Sequence, residues 1–157
     1  MRNGSSGRRN ASTGLRWSRV FAALAAGYVL LTALYLWLGY LGRIDERIRG
    51  TDSVYYYIYV RSLLFDGDLD FSNELEFFYG RPDIQGTTTT GLPPNVFSVG
   101  PALLWSPCFI VAHVATLLGQ SFVSELEADG YSALYQSFVY IGNSLYGLAG
   151  ILLTALS

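Results

Sequence analysis

Residues 20–42 read VFAALAAGYVLLTALYLWLGYLG, 23 consecutive residues without a charge. As an α-helix this run reaches about 34 Å, enough for the hydrocarbon core of a bilayer. A cleavable signal peptide shares the basic flank but has an apolar core of only about 7–15 residues ending in a small-residue cleavage site. The run reads instead as a retained transmembrane anchor. Tyr35, Trp37 and Tyr40 gather at its far end, where aromatic rings favour the headgroup level.

Charge on either side sets the expected orientation. All ten basic residues are Arg, five of them between Arg2 and Arg19 and five between Arg43 and Arg81. Arg crowded before the span predicts a cytoplasmic amino terminus, with residues 43–98 on the outer side. Residues 1–19 are rich in Gly, Ser, Asn and Arg and offer too little apolar surface to offset chain entropy, which predicts a disordered cytoplasmic tail. Its two Asn-x-Ser sequons, at Asn3 and Asn10, are then chance.

Two more apolar segments follow, at about 99–118 and 138–157, joined by an acidic loop over 119–137. The first contains Pro101, Pro107 and His113, tolerable in a membrane helix if neighbouring groups satisfy the freed backbone. The following loop has no Arg, so 99–118 reads as a transmembrane or a re-entrant helix. The last segment stops at Ser157 with neither a basic flank nor an aromatic belt, and reads as truncated. The fold expected is an α-helical integral membrane protein: two to three transmembrane helices plus an extracytoplasmic loop.

Within that loop, SVYYYIYVRSLLF at 53–65 is too short to span and carries one charge, Arg61. It reads as an interfacial helix capped by Asp52, with an aromatic β-strand as the rival. Pro82, Pro93, Pro94 and the Thr run 87–90 predict irregular backbone over 80–99.

Composition removes several function classes. A net charge of −2 gives no basic face for a nucleic acid. One Cys, Cys108, one His and no Lys predict no disulfide, no zinc site, no Schiff base and no cofactor. Carboxylates remain, and a carboxylate at a membrane interface can be desolvated enough to act as a general base. Asp66, Asp68 and Asp70 alternate as in the opening of a calcium loop, but Phe71 stands where the turn glycine belongs and Phe77 where the bidentate Glu belongs, so no metal is expected. His113 reads as a hydrogen-bonded structural residue. Asp52 reads equally as helix cap or as base.

This order of features resembles the first part of membrane-embedded C-type glycosyltransferases, the superfamily of protein O-mannosyltransferases and aminoarabinose transferases. The resemblance is carried by TDSVYYYIYVRSLLFDGDLDFSNE at 51–74, PPNVFSVGPALLWSPCFIVAH at 93–113 and ADGYSALYQ at 128–136, and covers about residues 18–157 of a family whose chains are several times longer. It implies residence in the cytoplasmic membrane as a multi-pass protein. It also implies a polyprenyl-phosphate-linked sugar donor, transfer with inversion to an extracytoplasmic acceptor, and an acidic base in the first outer loop at Asp52. Chemistry alone adds Arg61 as a bidentate partner for donor phosphate, with Asp68 and Asp70 as further substrate-binding carboxylates. The alternative from another class is a small accessory membrane protein, in which Gly142, Gly147 and Gly150 allow close helix approach.

Overall fold

The computed structural model describes residues 6–41, 48 and 50–156, with side chains from Trp17 onward. Among the described residues the protein is wholly helical: α1 (Ser6–Tyr40), α2 (Thr51–Arg61) continuing into a π-helical turn (Ser62–Asp66), α3 (Ser72–Tyr79), α4 (Gly100–Gly119) and α5 (Ala133–Leu156). Three stretches, Trp17–Tyr40, Gly100–Gly119 and Ala133–Leu156, are long and apolar enough to cross a membrane. The chain divides into two compact units, one of residues 1–45 with 143–157 and one of 46–142.

The first unit holds α1 and the end of α5. Leu24, Val29, Leu30, Leu31 and Leu34 of α1 are all exposed, a larger apolar surface than a protein in water carries without a partner. Tyr28 lies over Gly147 of α5, and a Cβ at that glycine would collide with the tyrosine hydroxyl. Helix α1 begins at Ser6, within the stretch 1–19 expected as a tail, and residues 1–5 of that stretch lie outside the described residues.

In the second unit α2 is the central element, with Val54, Tyr55, Tyr57, Ile58, Val60 and Arg61 all buried. One side of it, Tyr57 and Val60, packs with Ala102, Phe109, Ala112, Tyr135 and Val139 of α4 and α5. The other side, Val54, Tyr55 and Ile58, packs with Phe71, the residue before α3, and with Leu75 of α3. Each such side chain contributes on the order of 1.5–3 kcal/mol. The strand alternative is thus excluded, while Leu63 and Leu64, at the far end of the stretch read as interfacial, stay exposed. The Asp52 cap is corrected. Gly50, at φ 93, occupies the cap position with no side-chain cap bond, and Asp52 lies inside the first turn.

The segment from Gly80 to Ser98 is irregular, as its prolines predict. It is strapped to α2: the Asn95 amide donates to the Tyr55 carbonyl at 2.9 Å, and Phe97 stacks on Tyr55 at 5.1 Å. Helix α4 is continuous through Pro107. The proline leaves the Leu103 carbonyl without its usual amide partner, and the Ser106 hydroxyl donates to that carbonyl at 2.9 Å. The helix runs unbroken from Gly100 to Gly119, long and apolar enough to cross a membrane. Helix α5 starts at Ala133, earlier than the expected loop end at 137.

Candidate functional site

Asp52 is exposed in the first turn of α2, on a helix whose remaining two turns are mostly buried. The carboxylate therefore stands at the solvent-facing start of a helix that is fixed by packing further along. Tyr56 lies one turn further on the same face, its ring edge against Phe97 at 5.8 Å and Trp105 at 6.1 Å.

The other predicted residues lie at the opposite end of α2, about 13 Å of helix rise away. Asp68 accepts from the Ser62 hydroxyl at 3.1 Å and from the Asp70 amide at 3.0 Å. Asp70 accepts from the Ser72 amide at 3.1 Å and hydroxyl at 2.6 Å. Together with Asp66, Ser72 and Asn73 they line a cleft of about 170 Å³. Oδ1 of Asp68 and Oδ1 of Asp70 hold the turn between α2 and α3, and among the described residues no three His, Cys, Asp or Glu side chains are grouped to hold a metal. The structure therefore brings Asp68 and Asp70 together in one cleft with Asp66, the carboxylate that pairs with Arg61, and leaves Asp52 at the other end of α2.

Arg61 is turned inward, 9% exposed. Its guanidinium pairs with Asp66 and, at 2.9 Å, with Glu74; Nε donates to the Asp129 carbonyl at 3.4 Å. The Tyr131 ring lies 4.3 Å from its central carbon and the Phe65 ring 5.5 Å. Nε and Nη1 of the guanidinium are thus engaged within the protein, whereas the phosphate role expected for Arg61 calls for an open edge.

Glu74 is fully buried, and its Oε2 has no hydrogen-bond partner. Burial pushes its carboxyl up to about 7, against the opposing pull of Arg61. Burial likewise raises the Tyr131 phenol, with Glu74 adding to the shift. Sequence reasoning passed over Glu74. The signal lay in its register, since Phe71, Leu75 and Phe78 sit on the same face of α3 and carry Glu74 into the interior with them. His113 matches its structural reading, with Nδ1 hydrogen-bonded to the Tyr135 hydroxyl at 2.7 Å.

Comparison with protein-family models, with curated proteins and with solved structures found no match.

Proposed function

We propose that this chain inserts as a multi-pass membrane protein and forms the amino-terminal part of a glycosyltransferase that uses a polyprenyl-phosphate-linked sugar. The observation that supports the reading is the placement of Asp52, an exposed carboxylate on the first turn of a helix that protein packing holds rigid. In this reading the carboxylate takes the proton of an acceptor hydroxyl. The acceptor oxygen bonds to the anomeric carbon from the face opposite the phosphate, the bond from that carbon to the phosphate oxygen breaks, and the polyprenyl phosphate departs with inversion.

Because Asp52 makes no cap bond, Asp52→Asn tests the base directly. In membranes containing the full-length protein, transfer of radiolabelled sugar from a polyprenyl-phosphate donor falls on the order of 10²–10⁴-fold while the amount of inserted protein is unchanged. Undiminished transfer by Asp52→Asn removes the assignment. The accessory-protein reading is favoured by one observation, the engagement of Arg61, Asp68 and Asp70 in internal bonds rather than around Asp52. Absence of transfer by the unaltered full-length protein supports it.

A further inference from the structure

One guanidinium, Arg61, serves two carboxylates, and only one of them is open to water. Asp66 is partly exposed and shares its Oδ2 between Arg61 and the Asn73 amide, which donates at 2.8 Å. Glu74 has no exposed surface, takes a single bond from Arg61 through Oε1, and keeps Oε2 buried without a partner. With both carboxylates ionised the buried group carries one negative charge in excess. With Glu74 protonated, Arg61 and Asp66 balance.

The same guanidinium holds a segment distant in sequence. The Asp129 carbonyl accepts from Nε and Tyr131 stacks on the cation, while the Tyr57 hydroxyl donates to the Gly130 carbonyl at 2.7 Å. Phe77 of α3 stacks on the other partner of this contact, Tyr131, at 4.2 Å. Residues 129–131 are thus gripped between α2 and α3 through a group whose charge balance depends on one proton. We propose that Arg61, Asp66 and Glu74 form a proton-operated clamp that holds residues 129–131 against α2 and α3 when Glu74 is neutral and loosens them when it ionises.

The groups that face Glu74 are Arg61 from α2, Asp66 from the π-helical turn, and Tyr131 from the segment before α5, with Asp129 beside Tyr131. Of these only Arg61 is a cation. The direction follows from linkage: an acid harder to ionise when enclosed than when released binds its proton more tightly in the closed state. The clamp is therefore strongest below about pH 4.5 and weakens as pH rises toward the value of about 7 to which burial lifts Glu74, above which the loss is complete.

The test is backbone amide exchange of the full chain in lipid nanodiscs between pH 5 and pH 8, corrected for the intrinsic pH dependence of exchange. In the unaltered protein, opening of residues 129–132 increases by up to about tenfold per pH unit between pH 5 and 7 and levels off above, while residues 105–112 of α4 do not change. Glu74→Gln, which keeps the shape without the charge, removes the dependence. Asp66→Asn frees Arg61 for Glu74 alone and moves the rise to lower pH. A flat profile in the unaltered protein, or a slope that survives Glu74→Gln, overturns the proposal, and Asp66→Asn without a shift overturns the shared-cation account even if Glu74→Gln does not fold.

Discussion

Gly130 shows how closely the cluster around Arg61 is built. Its φ of 77 lies in the left-handed region, and a Cβ there would approach Arg61 Cγ at 3.0 Å, Phe65 Cε2 at 3.1 Å and Phe109 Cζ at 3.2 Å. Gly130→Ala therefore combines a disfavoured backbone with an overfilled site, each costing about 1–3 kcal/mol. A lowered thermal midpoint in detergent, amounting to roughly 2–4 kcal/mol, is the expected result. Wild-type stability of Gly130→Ala would mean that residues 129–131 do not sit against α2 and α4 as described. Asp129 supports the same segment from the other direction, its Oδ1 accepting from the Tyr131 amide at 2.8 Å and the Ser132 amide at 3.2 Å.

Among the elements, the apolar runs were legible because length and lack of charge alone define them. Helix α2 was legible only as an apolar stretch. Buried on several sides at once, it has apolar residues all round, and periodicity has nothing to report when no face is left polar. Asp52 looked like a cap because the alternative, a glycine with positive φ at position 50, leaves no side-chain signature beyond the glycine itself. The inward turn of Arg61 was illegible for a different reason: its partners come from Asp66, Glu74 and Asp129, and no local pattern places the last of these beside it. Packing of α4 on α5 makes its own prediction. Gly142 faces Cys108, where a Cβ would collide with the thiol sulfur and approach Cβ at 3.0 Å. Gly142→Ala is expected to cost about 1–3 kcal/mol in a thermal or denaturant titration, and Cys108→Ala in the same chain to restore part of it. Strict additivity of the two substitutions would separate these helices.

For the whole molecule, orientation is the property that the proposed function needs most, since donor phosphate and acceptor must meet Asp52 on the outer side. The Arg cluster before Val20 is the ground for expecting residues 43–98 there. In a Cys108→Ala background, Thr89→Cys, at an exposed position in the irregular segment, is expected to react with a membrane-impermeant maleimide added to intact cells. Labelling that appears only after the cytoplasmic face is opened would reverse the orientation and with it the outer-side reaction.

The Tyr57 hydroxyl closes on a carbonyl 73 positions later in the chain. During synthesis at about 5–20 residues per second, that acceptor emerges roughly 4–15 s after the tyrosine itself. Over that interval the side of the helix bearing Tyr57 and Val60 exists without the surface that later encloses it, and a cell making this protein must shelter that face until residues 100–142 arrive. Slowing the ribosome between positions 80 and 130 lengthens that exposure, so yield rather than final stability is where synonymous changes in this stretch are felt.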